Sequence, residues 1–316
     1  MIGLDPVVGF FALGLAAGFL RSDLKLSGGL MDTLSLYLLV AIGLKGGMEL
    51  ALIPEPRAVL LPIAVAVLMS MGTPLLAYPA LRFLGGQRRP DAASIAAHYG
   101  SVSVVTFAVG ASYLSGKGIE YEGYLSVLLV FLEFPALIIG VLLAKGVNRA
   151  TDWRLLAHEV FTGKAIVLLI GSLAIGWLWG HDGARALGLF YGDLFKGFLS
   201  LFMLGMGVIT AARFADLRRA GAFLIGFGIA VPMVSAGGGV LIGWWLGLSV
   251  GGTTLLATLY ASASYIAAPA AMRIAIPDAN PALSMGASLG VTFPFNLLLG
   301  IPLYHAMVER LYRTAG

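Results

Sequence analysis

The chain has 316 residues, of which 59% are hydrophobic and only 11% are charged, with a formal net charge of +4. A soluble domain carries about 25% charged residues and cannot hide so large an apolar share from water. The composition therefore excludes soluble enzymes, nucleic-acid-binding proteins and disordered chains, and it predicts a protein that crosses the lipid bilayer several times. With no cysteine and four histidines, we expect no cofactor and no transition-metal centre.

Ten apolar runs follow one another along the chain, and a spanning helix needs about 20 such residues. The runs fall at 5–20, 29–53, 58–84, 92–115, 121–144, 163–180, 188–212, 220–247, 251–274 and 283–308. They are continuous rather than alternating, which favours helices over the strands of a membrane barrel. The first five residues include no Lys or Arg, so we expect the first run to be a retained span rather than a secretory signal. The sequence thus predicts an all-α polytopic membrane protein with ten transmembrane helices.

Basic residues are unevenly distributed between the two sets of loops. The loops that follow odd-numbered spans hold 13 Lys and Arg residues, whereas the even-numbered loops and both termini together hold six. Because cytoplasmic loops carry the excess of basic residues, the odd-numbered loops are predicted to be cytoplasmic and both termini to lie outside. We expect this orientation in the cell inner (plasma) membrane.

The two halves of the sequence resemble each other. Three segments recur in the same order at nearly one offset: 98–103 with 259–264, 34–39 with 199–204, and 134–140 with 293–300. Each half has five spans, so the second copy enters the membrane from the opposite side. Inverted repeats of this kind are typical of secondary transporters. We predict a first repeat at 1–147, a short cytoplasmic linker at 148–162 and a second, inverted repeat at 163–316.

Spans four and nine each contain a small polar segment near the middle of the membrane, at Tyr99–Ser103 and Tyr260–Ser264, the second followed by Pro269. Gly, Ser and Pro weaken helix continuity, so we predict two broken helices that cross mid-membrane. Their half-helix N-termini would suit a small oxyanion, and unwound carbonyl groups would suit sodium. The hydroxyl groups of four residues could also donate hydrogen bonds to the anion or bind the cation: Ser101, Ser103, Ser262 and Ser264. The alternative is a pair of serine-rich faces for helix packing.

Charged and amide side chains within the spans are further candidates. Lys45 and Glu49 lie one turn apart on span two, and Glu133 lies within span five. Ionisable groups in lipid are usually functional or paired, so Glu133 is interpreted either as a sodium ligand or as an ion-pair partner of Lys45. Glu49 is expected to reach the outer interface, and Asn296 and Thr292 on span ten are weaker candidates.

Catalytic and nucleotide-binding patterns are weak in this chain. His98 stands near Ser101, but no acid that could orient the histidine is close in sequence, and a nucleophile elbow is missing. The glycine-rich Gly43–Gly47 lacks the Walker spacing. We therefore predict that the protein is not an enzyme and that it does not hydrolyse ATP.

Several longer motifs resemble the sodium-dependent bicarbonate transporter family. They are found at 21–24, 34–39, 41–47, 97–107, 192–197, 261–273 and 291–296. The resemblance extends from about residue 5 to residue 308. It implies a secondary active symporter that imports bicarbonate with sodium by alternating access, and a homotrimer in which a core part moves against a gate part.

The resemblance also implies where the ions bind, between the two broken helices. The implied anion site is Tyr99, Gly100, Ser101, Ser103, Tyr260, Ala261, Ser262 and Ser264, with Thr106 and Tyr265 beside it. For sodium, the coupling ion, we expect ligands from Ser103, Thr106, Glu133, Ser264 and Asn296.

One departure and several alternatives accompany this interpretation. Family members regulated by a cytosolic PII-like protein often have a longer central segment than Lys145–Lys164, which argues against that partner here. The alternatives are a sodium-coupled symporter for another small anion, an anion channel, an intramembrane hydrolase, and a membrane scaffold for a PII-like signalling partner.

Overall fold

A computed structural model describes residues 5–53, 59–146, 153–184 and 187–315 of the chain. Within these ranges the chain forms helices and turns, without a β-strand. In chain order the helices are α1 (Pro6–Phe19), α2 (Gly28–Ala51), α3 (Leu60–Pro79), α4 (Arg89–Gly100), α5 (Val104–Gly116), α6 (Leu128–Lys145), α7 (Trp153–Phe161), α8 (Lys164–Ala184), α9 (Phe195–Trp245), α10 (Val250–Tyr260), α11 (Ala267–Ala275) and α12 (Pro281–Thr314).

Seven helical segments of the described chain are long and apolar enough to cross a membrane. They are Gly28–Ala51, Leu60–Leu84, Arg89–Gly116, Gly123–Lys145, Leu189–Phe214, Gly221–Trp245 and Pro281–Thr314. Three further apolar helices are shorter, at Pro6–Phe19, Lys164–Gly180 and Val250–Tyr260. The all-helical membrane fold is confirmed, whereas the count of ten spans stays a prediction.

Two pairs of helices approach closely because glycines face the partner backbone. A Cβ atom at Gly14 of α1 would overlap the backbone of Leu204 in α9, and one at Gly47 of α2 would overlap Leu173 in α8. Without a hydrophobic force between helices in lipid, such small residues allow the van der Waals contact that holds a bundle together. The abundant glycines of the sequence thus have a packing role in the pairs α1–α9 and α2–α8.

Helices α4 and α10 lie at the centre of the fold. In α4 every residue from Asp91 to Gly100 is buried, and in α10 every residue from Gly251 to Tyr260 is buried. Helix α4 packs against α3 and α6, and α10 packs against α5, α9 and α12. A helix buried on all sides is enclosed by protein rather than exposed to lipid. The two buried helices therefore place the chain breaks that follow them inside the protein.

A carboxylate anchors the N-terminal end of each buried helix. Asp91 accepts hydrogen bonds from Arg88 Nε at 2.7 Å and from the Asn280 backbone N–H at 2.7 Å. Glu122 accepts hydrogen bonds from Ser249, one from the backbone N–H at 2.6 Å and one from the hydroxyl at 3.0 Å. Negative charge is favourable at a helix N-terminus. Both helices are thereby fixed at the end opposite to the chain breaks.

The predicted central linker, 148–162, is partly helical. Residues 148–152 lie outside the described residues, and Trp153–Phe161 forms α7, whose Leu156 is buried. Helix α7 packs against α8 and α11. The linker is therefore attached to the second half of the chain along part of its length.

The seventh and eighth predicted spans meet without an intervening loop. Helix α9 runs from Phe195 to Trp245, and Gly221 (φ 83°) interrupts its helical geometry. A positive φ is accessible to glycine because it lacks a Cβ atom. The chain changes direction at this one residue, two positions after the predicted connection at 213–219.

Candidate functional site

Both predicted interruptions are present in the structure. Ser101–Ser103 separates α4 from α5, and residues 261–266 separate α10 from α11. Ser101 (φ −86°, ψ 165°) and Ser103 (φ −109°, ψ 113°) are extended. Because these segments are buried, their backbone groups need hydrogen-bond partners inside the protein.

The two interruptions are joined directly by hydrogen bonds. The backbone N–H of Ser264 donates to the carbonyl oxygen of His98 at 2.8 Å. The backbone N–H of Ser103 donates to Ser262 Oγ at 2.9 Å, and this hydroxyl donates to the Leu259 carbonyl oxygen at 2.7 Å. The chain breaks of the two halves are therefore in contact, and we call this region the crossing.

Two serines cap the helices that leave the crossing. Ser103 Oγ accepts a hydrogen bond from the Thr106 backbone N–H at 3.1 Å, at the start of α5. Ser264 Oγ accepts one from the Ala268 backbone N–H at 3.2 Å, at the start of α11. Each hydroxyl keeps a proton to donate and a second lone pair. The N-terminal ends of α5 and α11, with their partial positive charge, therefore both lie at the crossing.

Polar side chains from other helices hold the carbonyl groups where α4 and α10 end. Ser70 Oγ of α3 lies 2.8 Å from the carbonyl oxygens of both Gly100 and Leu132. Asn296 Nδ2 of α12 donates to the Ala261 carbonyl oxygen at 2.8 Å. Sequence reasoning missed Ser70, although a serine in the apolar run before Pro74 was a usable signal.

A second set of contacts supports the site from α12. Tyr99 OH and Thr292 Oγ1 are 2.7 Å apart, and Thr292 Oγ1 lies 2.7 Å from the Gly228 carbonyl oxygen in α9. Tyr304 OH donates to Asn296 Oδ1 at 2.7 Å. Tyr99 and Asn296, both predicted as ion ligands, thus make structural hydrogen bonds here.

A small buried cavity lies at the crossing, with room for about one water-sized group. Ser103, Ser264, Glu133 and Tyr265 are the polar residues that border it, although the surface facing the empty space is almost entirely apolar. Ser103, Ser264 and Glu133 are each at most 5% exposed. The structure therefore brings together three residues that the sequence predicts as ligands, from both halves of the chain.

Glu133 is not paired with Lys45. Its Oε2 atom has no hydrogen-bond partner among the described residues, and the side chain is 3% exposed. Lys45 lines a different, larger cavity, where its Nζ atom lies 3.5 Å from Tyr121 OH. An ionised carboxylate isolated in this way is costly, so Glu133 is either protonated or balanced by a bound cation, and it is not part of a structural ion pair with Lys45.

Other predicted residues surround the crossing without lining its cavity. Ser101 Oγ and Tyr260 OH are buried and have no hydrogen-bond partner among the described residues. Thr106 is 1% exposed at the first turn of α5. Unpartnered buried hydroxyl groups carry a free-energy cost that a bound ligand can remove.

The geometry does not support a serine hydrolase. His98 Nδ1 is 2.7 Å from the carbonyl oxygen of Ser94 in its own helix. Ser101 Oγ has no hydrogen-bond partner among the described residues, so it is not bonded to the imidazole. A nucleophilic serine needs a base within hydrogen-bonding distance, and this pair lacks that contact.

The described residues contain no group of three or more His, Cys, Asp or Glu side chains that could hold a metal ion. The crossing does contain hydroxyl, carbonyl and carboxylate oxygens, which are the ligand types that hard cations prefer. This donor set is the one that unwound helices provide in sodium-coupled transporters.

Comparison with curated proteins found no match. The model of the Na+-dependent bicarbonate transporter superfamily matches residues 6–309, almost the whole chain, including both interruptions and the residues that line the cavity at the crossing. Membership implies a transport protein rather than an enzyme, with sodium and bicarbonate as the transported ions. Because this match covers almost the whole chain, the protein belongs to the Na+-dependent bicarbonate transporter superfamily.

Proposed function

We propose that the protein is a secondary active symporter that imports bicarbonate together with sodium by alternating access. The observation that carries this proposal is the cavity at the crossing, where Ser103, Ser264 and Glu133 converge. Two polarised helix ends and a carboxylate in one small buried space offer binding partners for an anion and for a cation.

In this proposal the anion binds to the N-terminal ends of α5 and α11. Free backbone N–H groups and the hydroxyl protons of Ser103 and Ser264 can donate to its oxygens. Ser101 and Ser262 lie in the same interruptions, and Gly100 and Ala261 immediately precede them. Because the cavity is small, it favours a three-oxygen anion over a bulky carboxylic acid.

Sodium binds next to the anion in this proposal, through Glu133, the remaining lone pairs of Ser103 and Ser264, and Thr106. Asn296 contributes by holding the Ala261 carbonyl group. Without sodium, the ionised carboxylate of Glu133 and the anion would repel each other at short range in a medium of low dielectric constant. Sodium removes that repulsion, which explains why the anion needs the cation.

The architecture that fits this mechanism is a pair of inverted five-helix repeats. The crossing would stay fixed while one group of helices rocks against the other, which exposes the cavity to each side in turn. We further propose a homotrimer in the plasma membrane with both termini outside. The short central segment, part of which packs as α7, leaves little free chain for a PII-like regulator.

Uptake of radiolabelled bicarbonate into proteoliposomes tests this proposal. We expect concentrative uptake that requires an inward sodium gradient and that stops when the gradient is collapsed. A channel would give sodium-independent equilibration instead. Stronger competition by small carboxylates than by unlabelled bicarbonate would identify a symporter for another anion.

A further inference from the structure

A second cavity lies beside the crossing, between α4, α11 and the start of α12. It has about 450 Å³ of empty space, part of it open to solvent. Its polar lining includes Ser94 and His98 of α4, Arg273 of α11 and Ser284 of α12. None of the described residues that line it is acidic, so the balance of charge in its wall favours an anion.

His98 lines this cavity and has an unused acceptor. The residue is 1% exposed, and its Nδ1 atom is 2.7 Å from the Ser94 carbonyl oxygen. A carbonyl oxygen can only accept, so Nδ1 carries the ring proton and Nε2 of the neutral ring is an acceptor. Nε2 is buried and has no hydrogen-bond partner among the described residues. A hydrogen-bond donor on a bound ligand would satisfy this atom.

Arg273 brings a positive charge to the same wall. Its side chain is exposed, and the structure describes no ion pair for it. The carboxylate of Asp91, at the start of α4, is occupied by Arg88 and by the Asn280 backbone. A guanidinium group is always charged and donates several hydrogen bonds in a plane, which suits a planar oxyanion.

We propose that this cavity is a second anion site, which recognises an oxyanion carrying one O–H group. Arg273 binds the negatively charged oxygens, and His98 Nε2 accepts the hydrogen bond of the O–H group. Bicarbonate has both features, whereas nitrate is a planar monoanion of similar shape without a proton. The identification of the ligand as bicarbonate rests on the proposed function.

The position of this site relative to the crossing gives it a role in transport. The carbonyl oxygen of His98 accepts the hydrogen bond from Ser264, while the His98 side chain lines the second cavity. His98 therefore contacts the crossing through its backbone and the second cavity through its side chain. The connection at 276–280 borders this cavity and belongs to a loop that the basic residues predict to be cytoplasmic. The second site is thus a step on the path between the crossing and the cell interior.

Side-specific kinetics in oriented proteoliposomes test this proposal. His98→Phe and Arg273→Gln should each raise the half-saturating bicarbonate concentration at the cytoplasmic face by about fivefold to tenfold. A change of this size corresponds to the loss of one hydrogen bond to the anion. The value at the outer face should change less than about twofold, because the crossing is intact. His98→Gln, which retains an acceptor, should be closer to the wild type than His98→Phe. Nitrate should compete weakly with bicarbonate in the wild type and more strongly, relative to bicarbonate, in His98→Phe.

The matched controls are His158→Phe and Arg154→Gln, because both residues are exposed on α7 and neither lines this cavity. The proposal would be overturned if His98→Phe and Arg273→Gln both left the half-saturating bicarbonate concentration at the cytoplasmic face unchanged. An equal rise of this concentration at both faces would also overturn it. If the wild type does not transport bicarbonate, binding of radiolabelled bicarbonate to the purified protein still tests whether the second site exists. Weaker binding in Arg273→Gln than in Arg154→Gln supports the second site, and equal binding rejects it.

Discussion

The backbone N–H of Ser264 donates a hydrogen bond to the carbonyl oxygen of His98 at 2.8 Å, across 166 positions of sequence. This bond joins the interruption of one half of the chain to the last turn of α4 in the other half. Ser101 Oγ, in the interruption that follows α4, has no hydrogen-bond partner among the described residues. Ser262, at the position matching Ser101, donates to the Leu259 carbonyl, whereas the matching carbonyl of His98 is occupied by Ser264. The two halves are thus unequal at the crossing.

The capping serines should be essential for transport. Ser103→Ala and Ser264→Ala each remove a ligand hydroxyl and a helix cap, so we expect sodium-driven bicarbonate uptake to fall at least about tenfold. Loss of a cap also costs about 1 kcal/mol of stability, which a thermal unfolding measurement would register. Ser200→Ala is the matched control, because Ser200 only donates to a carbonyl of its own helix. Wild-type uptake in both capping variants would remove these serines from the site.

Glu133 should control the response to sodium. Glu133→Gln keeps the shape of the side chain and removes its negative charge, so we expect the half-saturating sodium concentration to rise at least about tenfold. Titration of uptake against sodium at fixed bicarbonate measures this value. Glu309→Gln, at a half-buried residue that lies near His305 and Arg313 and away from the crossing, should behave like the wild type. An unaltered sodium titration in Glu133→Gln would show that the carboxylate does not bind the cation.

Asn296 is predicted as a sodium ligand, and its hydrogen bonds to Ala261 and Tyr304 also suit a positioning role, which we propose here. Asn296→Ala leaves the Ala261 carbonyl group and the Tyr304 hydroxyl group without partners, at a cost of about 1–3 kcal/mol each at most. We expect a lower unfolding temperature and a lower maximal rate, with little change in half-saturating sodium. A rise in half-saturating sodium as large as that in Glu133→Gln, at unchanged stability, would restore Asn296 to the ligand set.

Gly100 should tolerate no side chain. A Cβ atom there would overlap the ring of Pro74 and the methyl group of Ala136, and overpacking of this kind costs about 1–3 kcal/mol. Gly100→Ala should therefore lower the unfolding temperature in detergent and impair uptake. Gly237→Ala is the control, since no atom lies within 4 Å of the added Cβ and alanine favours the helix. Equal stability of the two variants would contradict this packing.

The sequence was sufficient to predict the membrane fold and the two interruptions, because apolar runs and clusters of Gly and Ser act locally. It also identified Ser103, Ser264 and Glu133, which line one cavity. It did not reveal Ser70, whose role depends on the approach of α3 to the end of α4. Contacts of that kind are set by tertiary packing, which local composition does not encode.

The central claim is that the two ions move together through the crossing. It is tested most directly by uptake of radiolabelled sodium into proteoliposomes with an inward bicarbonate gradient, equal sodium on both sides and the membrane potential clamped. We predict that bicarbonate drives sodium above its equilibrium distribution, and that the double variant Ser103→Ala, Ser264→Ala abolishes this accumulation. Sodium entry that is the same with and without the bicarbonate gradient would contradict coupled transport.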